Sequence, residues 1–341
     1  MPPTGNLRDR LLSIVDDFAG VRVAILGDLL VDEFIYGRIS RVSREAPVLI
    51  LEYDSTDIVP GGAGNAANNV AALGGNAVAI GIAGEDEAGR RLLDAMRERI
   101  DIRNVVTHRS LTTPTKTRIL AGGVHSAKQQ VVRVDRTTRA PVPEKVRTAI
   151  ARRVSAALGR SDALIVSDYG SGLVTPALVR AAQRTLRGPG AQQPPVLVDS
   201  RYSLLKYRRM TMCTPNESEV EALLGVRIGE NSRVLERAGR TLLARTGAAG
   251  VLITRGSRGM ALFEPDRPTV HIEIFGSDQI ADVTGAGDTV IATMTLALAA
   301  GGTPAEAAHL ANYAGGLVVM KRGTATVSAD ELKQAIRGDR G

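Results

Sequence analysis

Residues 21–28 read VRVAILGD, a nearly unbroken apolar run closed by a glycine and an aspartate. A strand that is apolar on both faces belongs between two layers, which is the pattern of a parallel sheet covered by helices. Outward from it, apolar runs of strand length alternate with segments of helical period. Strands are expected at 48–53, 77–82, 163–167, 196–199, 210–214, 251–254, 260–263 and 270–274. Helices are expected at 63–73, 87–99, 145–158, 176–186, 217–224, 234–246, 285–300, 304–320 and 328–336. The alternation predicts a three-layer α/β/α fold with a mainly parallel central sheet. Two β-only stretches, 34–59 and 112–136, interrupt it, and without crossover helices they cannot join a parallel sheet. They are expected to form a small separate β lid, with 115–120 paired to 130–135. Residues 187–195 (RGPGAQQPP) read as a surface connector.

The remaining bounds come from composition. The chain has 341 residues, 44% hydrophobic and 23% charged, and is read as one domain large enough to bury an extensive core. Disordered, collagenous and small disulfide-rich classes are excluded. The longest apolar stretch, 289–300, falls short of the roughly 18 residues of a membrane span, and no signal peptide is expected from MPPTGNLRDR. A single cysteine, Cys213, fits a reducing cytoplasm and reads as a buried strand residue. The net charge of +7 invites a nucleic-acid partner. Against it, only 6 of the 43 basic residues are Lys and the Arg residues are scattered, while aromatics are 3% with no Trp. No nucleic-acid and no membrane partner is therefore expected, whereas a small, highly charged substrate suits the balance. His108, His125, His271 and His309 show no metal-ligand spacing.

Four segments carry candidate chemistry. Residues 282–288, DVTGAGD, precede the apolar run TVIATMTLAL. Gly285, Ala286 and Gly287 let a ligand approach the backbone where a helix begins, and free N–H groups with the positive dipole end make an anion site there. Asp288 in the first turn would repel a phosphate unless it has a task, such as taking a proton from an attacking hydroxyl. The spacing alone equally allows a carboxylate that only complements the helix dipole. Gly61, Gly62 and Asn65 also sit at a helix start, where they suit polyol recognition or a tight turn with a cap. Asp28 and Asp32 follow the first strand, at the end where open α/β sheets bind ligands. They suit sugar hydroxyls, or a turn. In Thr214-Pro215-Asn216-Glu217-Ser218-Glu219, helix capping explains much, and Asn216 with Glu219 could instead hold a phosphate or a hydrated Mg²⁺. No Walker-type phosphate loop and no nucleophile elbow occurs.

In this order the segments GGAGN (61–65) with Asn68, GEDEAG (84–89), PNESE (215–219), TRGSRG (254–259) and DVTGAGD (282–288) resemble the PfkB, or ribokinase-like, carbohydrate kinases, over about 21–332. The resemblance implies a single ATP-dependent kinase domain over 1–341. Asp288 would be its catalytic base, and Gly285, Ala286 and Gly287 its anion hole. Gly61, Gly62, Asn65 and Asp32 would bind the sugar. Asn216, Glu217, Ser218 and Glu219 would lie at the Mg²⁺ and phosphate site, with Mg²⁺ held mostly through water by Asn216 and Glu219. Thr254, Arg255, Gly256, Gly259, Asn312 and Gly323 would line the nucleotide site, and Asp282 is a candidate for a monovalent cation such as K⁺. Residues 40–48 (SRVSREAPV), with Lys116, Arg118 and Ser167-Asp168-Tyr169, are similar to the D-glycero-β-D-manno-heptose 7-phosphate kinases. Departures are Arg44 for a usual Pro, a longer loop at 121–128, and Arg201 for a common Lys. The implied substrate is heptose 7-phosphate, phosphorylated at its anomeric hydroxyl. Another sugar, sugar phosphate or nucleoside kinase, or a non-catalytic sensor on the same fold, is the alternative. Arg38, Arg41, Arg44, Lys116, Arg118, Lys128, Arg133 and Arg136 in the lid stretches are cations for a second phosphate, or a solvated basic edge. A homodimer through the lid is expected. No H-x-G-H motif occurs, so a kinase without an attached nucleotidyltransferase is expected.

Overall fold

The computed structural model describes residues 7–122, 128–137, 140–186, 193–276, 282–321 and 323–339. His125 and parts of the loops at 121–128 and 187–195 lie outside them. Helix α1 (Leu7–Asp16) leads to β1 (Arg22–Gly27), and after Asp28 alone the chain enters β2 (Leu29–Val42). Next come β3 (Leu49–Gly62), α2 (Ala63–Ala72), β4 (Asn76–Gly84), α3 (Glu87–Met96), β5 (Asp101–His108), β6 (Thr115–Gly122) and β7 (Gln129–Arg136). The middle of the chain gives α4 (Glu144–Leu158), β8 (Ala163–Asp168), α5 (Pro176–Thr185), β9 (Val196–Ser200), β10 (Met212–Cys213), α6 (Glu217–Leu224) and α7 (Ser232–Thr246). It closes with β11 (Gly250–Thr254), β12 (Met260–Phe263), β13 (Val270–Ile272), α8 (Ala286–Ala299), α9 (Pro304–Val319) and α10 (Ala329–Gly338).

Nine strands form one sheet in the order β13-β12-β11-β10-β9-β8-β1-β4-β5. From β11 to β5 every neighbouring pair is parallel, and β12 and β13 extend the edge antiparallel. The period-two pattern of β1 divides the core. Val23 and Ile25 pack into the cluster that contains α2, α8 and α9. Ala24 and Leu26 pack on the opposite face, with α4 and α7. The expected layers and mainly parallel sheet are present. The separate sheet is present too, in the order β3-β2-β6-β7, with β2 and β6 parallel.

The small sheet starts earlier than expected. Leu29–Asp32 and Pro60-Gly61-Gly62 are strand, not turn. Asp32 therefore sits inside the sheet, opposite Val59 and Lys116. β5 and α1 were not foreseen: β5 (DIRNVVTH) is a half-buried edge strand with no clean period. Helix boundaries follow local chemistry. Thr303 with Glu306 and Ser328 with Glu331 form capping boxes at α9 and α10, and Gly225 and Gly247, both left-handed, end α6 and α7.

Where β1 meets β8, Gly27 is paired with Ser167, and a Cβ on it would lie 2.4 Å from the Ser167 carbonyl oxygen and 2.7 Å from Ala63 Cβ. Gly27→Ala is expected to lower unfolding stability by about 1–3 kcal/mol, the range for overpacking a close-packed site. Urea denaturation followed by circular dichroism measures it.

Candidate active site

A cleft of about 440 Å³ opens between the carboxyl ends of β8, β9, β10 and β11 and the start of α8. Gly285, in the left-handed conformation with φ +82°, is the N-cap residue of α8. It leads Ala286, Gly287 and Asp288 along the cleft wall. The first amides of a helix have no intrahelical acceptor, so this wall presents donors and positive potential. A Cβ on Gly287 would meet only open space, while one on Gly285 would lie 2.6 Å from Asn65 Nδ2.

Asp288 is buried yet lines the cleft. Its Oδ2 accepts from Asn65 Nδ2 at 2.7 Å, and its Oδ1 from the Tyr169 hydroxyl at 3.2 Å. Burial pushes this carboxyl up to about 7; the two hydrogen bonds pull the other way, Asp32 raises it further and Lys116 lowers it. Behind Asn65 runs a chain of donors. The Thr289 hydroxyl donates to Asn69 Oδ1 at 2.8 Å, and Asn69 Nδ2 donates to Asn65 Oδ1 at 3.1 Å. The amide orientation of Asn65 is thereby fixed, with its NH₂ toward Asp288. Asn68, named in the sequence pattern, is only half-buried, and Asn69 is the asparagine that turns toward α8. The i, i+4 spacing from Asn65 is the signal that identifies it.

On the small sheet, Asp32 accepts a charge-assisted hydrogen bond from Arg118, whose guanidinium lies 5.2 Å from the Phe34 ring centroid. Gly61 makes this possible, since a Cβ there would lie 2.3 Å from Asp32 Oδ2. Gly62, at φ +58°, is the N-cap residue of α2. Lys116 Nζ lies 5.1 Å from the Tyr169 ring centroid. Burial pulls its ammonium below the ordinary lysine value. Asp28 is not among the residues lining the cleft. Its Oδ2 accepts from the amides of Tyr169 at 2.9 Å and Ser171 at 3.0 Å, which makes it the anchor of the loop after β8. Burial raises its carboxyl above the usual range.

At the other end of the cleft, Asn216 and Glu219 form the N-terminal capping box of α6 and also line the cavity. Burial raises the Glu219 carboxyl. Beside them stand Asp199 and Arg201, which sequence reasoning did not place in the site. Burial first, then Asp288, Glu219 and Asp168, push the Asp199 carboxyl well up. The buried Thr214 hydroxyl has no hydrogen-bond partner among the described residues. These hard oxygen donors suit a Mg²⁺ that keeps several waters and shares phosphate oxygens, although no group of three or more metal-ligating side chains stands ready-made among the described residues.

Thr254, Gly256, Gly259 and Asn312 line the cavity, as do Gly315 and Gly316 of α9, which were not foreseen. Asn312 donates to the Glu273 carbonyl at 2.8 Å. Glu217, Ser218 and Arg255 are not among the lining residues. Glu217 instead pairs with Arg255 at 2.9 Å and with Arg258, clamping the loop after β11 to α6, and Ser218 is exposed. Asp282 accepts from the amides of Thr284 at 2.9 Å and Gly323 at 3.2 Å. Both Asp282 oxygens are thus engaged by backbone amides, which ties the start of the 282–288 segment to the loop after α9.

A model described as pfkB family carbohydrate kinase matches residues 29–331. The bifunctional protein HldE of Geobacter metallireducens is 40% identical over 314 residues, covering 92% of this chain and 62% of that protein. That of Caulobacter vibrioides is 39% identical over 331 residues, covering 95% and 65%. The chain thus spans less than two thirds of the length of these curated relatives. Arabidopsis thaliana ribokinase complexed with ribose and ATP superposes with a TM-score of 0.68 at 18% identity, over 94% of this chain and 99% of that one. Phosphofructokinase-2 from Escherichia coli in complex with fructose-6-phosphate gives 0.73 at 20%, over 93% and 98%. The architecture is the ribokinase-like α/β fold. The chain belongs to the pfkB family of carbohydrate kinases.

Gly285→Ala places a side chain in a left-handed conformation and against Asn65. It is expected to cost about 1–3 kcal/mol from backbone strain alone, read as a lower melting temperature in a thermal unfolding scan.

Proposed function

We propose that this chain transfers the terminal phosphoryl group of ATP to the anomeric hydroxyl of D-glycero-D-manno-heptose 7-phosphate, giving the 1,7-bisphosphate. The observation that carries the reading is the placement of Asp288: a buried carboxylate that lines the cleft in the first turn of α8, with Asn65 on its Oδ2 and Tyr169 on its Oδ1. In this step Asp288 accepts the hydroxyl proton as the oxygen forms its bond to the γ-phosphorus, and the bond to the β-γ bridging oxygen breaks with its electrons going to ADP. The first-turn amides of α8 stabilise charge on the phosphoryl oxygens. Mg²⁺, bound near Asn216, Glu219 and Asp199, would neutralise phosphate charge.

The heptose assignment rests on the relatives' identity and on the segment 40–48. Asn65 and Asp32 supply polar partners for sugar hydroxyls, with Lys116 nearby. The phosphate at the far end of the substrate would take cations of the lid. Arg38 and Lys128 already pair with Asp54, and Arg133 with Asp135. Arg41 and Arg136 are exposed on the same sheet, and Arg44 is exposed in the turn between β2 and β3. Ile39, Val42, Leu49, Tyr53, Val131, Val132 and Val134 are also exposed there, which supports the lid as the contact of a homodimer. No described helix is long and apolar enough to cross a membrane. A cytoplasmic setting is proposed on the single buried free cysteine.

ADP release measured against a panel of sugar 1-, 6- and 7-phosphates, ribose and adenosine tests class and substrate together. Turnover on ribose or adenosine with none on heptose 7-phosphate would move the assignment to another member of the family, and ligand binding without transfer would make it a sensor. Asp288→Asn is expected to lower kcat by about 10²–10⁴, the usual worth of a general base, with ATP binding little changed. Because the base acts as its anion, kcat of the unmodified chain falls as pH drops through about 7.

A further inference from the structure

Tyr169 stands where the loop after β8, helix α8 and the small sheet meet. Its hydroxyl donates to Asp288 Oδ1 at 3.2 Å, its ring faces Lys116 Nζ at 5.1 Å, and its amide is held by Asp28 Oδ2 at 2.9 Å. The loop is pinned twice more, by the Ser171 amide on the same Asp28 oxygen and by the Gly170 amide on Asp168 Oδ1 at 3.0 Å. Asp168 is fixed in turn by the hydroxyls of Ser200 at 2.8 Å and Tyr207 at 2.6 Å. Asn65 holds the other oxygen of Asp288 from α2. A carboxylate held by one donor can turn about its Cβ–Cγ bond. Held at both oxygens by donors on separate elements, it cannot turn without losing one of them.

We propose that Tyr169 is a positioning residue for phosphoryl transfer: from a loop locked by Asp28, it sets the Asp288 carboxylate against Asn65 so that an oxygen lone pair stays on the acceptor hydroxyl. The inference rests on Asp288 being the base. Tyr169 is not itself a proton carrier, because burial and the neighbouring Asp288, Asp199 and Asp32 push its phenol well above the ordinary value. The transferred proton remains on Asp288. The groups facing Asp288 are Asn65 from α2, Asp32 from β2, Lys116 from β6, Tyr169 from the loop after β8 and Asp199 from β9. Of these, Tyr169 and Asn65 hydrogen-bond to the carboxylate, and losing either donor disfavours the anion.

Infrared titration of the ligand-free full chain, with Asp288→Asn as the difference reference, reads this carboxyl without any substrate. In Tyr169→Phe its midpoint is expected to move up by about one pH unit, the scale of one lost hydrogen bond to a charged group. The acidic limb of kcat, measured with ATP and heptose 7-phosphate, moves with it, while KM for ATP stays within about twofold, since a residue acting only on the base leaves nucleotide binding unchanged. Tyr169→Leu, which also removes the ring from Lys116, shifts the midpoint in the same direction and guards against a folding defect peculiar to one variant. An unmoved midpoint in these variants, each melting cooperatively, overturns the proposal. Undiminished turnover in Asp288→Asn overturns the base assignment instead and leaves the midpoint comparison intact.

Discussion

A carboxylate buried at the mouth of a helix, with no cation in contact among the described residues, is the constraint around which this molecule is arranged. The unfolded chain ionises Asp288 near 3.8, and the folded chain holds the proton up to about 7. Folding is therefore progressively disfavoured as pH rises between those values, and above about 7 the full cost is on the order of 4 kcal/mol. That cost is what remains after the Asn65 amide and the Tyr169 phenol have drawn the carboxyl down, with the free amides of α8 close by. Each demands space. Gly285 is a glycine because Asn65 lies where its Cβ would be, and Gly61 because Asp32 does.

Asp28 explains how the two sheets cooperate. It is the single residue between β1 and β2, and its backbone carbonyl accepts the Ala63 amide at the start of α2, at 3.0 Å. Its side chain ties the loop after β8. One residue thus joins the small sheet, the helix carrying Asn65 and the loop carrying Tyr169. Of the two readings the sequence left open for Asp28, a sugar partner or a turn, its contacts within the described residues are those of a turn. The positions of Asn65 and Tyr169 are thereby tied to the same residue.

The layers were legible because β1 is apolar on both faces and because helical and strand periods alternate with few breaks. β5 was not, since an edge strand half in water needs no clean pattern. Within the site, DVTGAGD announces its geometry, because glycine is the residue that takes the positive φ at 285 without strain and a carboxylate in the first turn is conspicuous. Chemistry that depends on tertiary partners was less legible. The spacing of Asn216 and Glu219 pairs them on one face, but nothing local says that Glu217, between them, clamps Arg255. Nothing local says that Asp199 is in the site at all. Both follow from strand order, which brings the ends of β9, β10 and β11 side by side.

The placement of cations completes the logic. Asp32 receives Arg118 in direct contact, whereas Lys116 is held over the Tyr169 ring and reaches Asp288 only through space. Had Lys116 paired with Asp288, the carboxylate would have been cheap to ionise and correspondingly weak as a proton acceptor. Two neutral donors fix its geometry without removing its basicity. Two aspartates of the site thus have different surroundings, one tied to an arginine and one held by two neutral donors, which lets one fold give two carboxylates different chemistry.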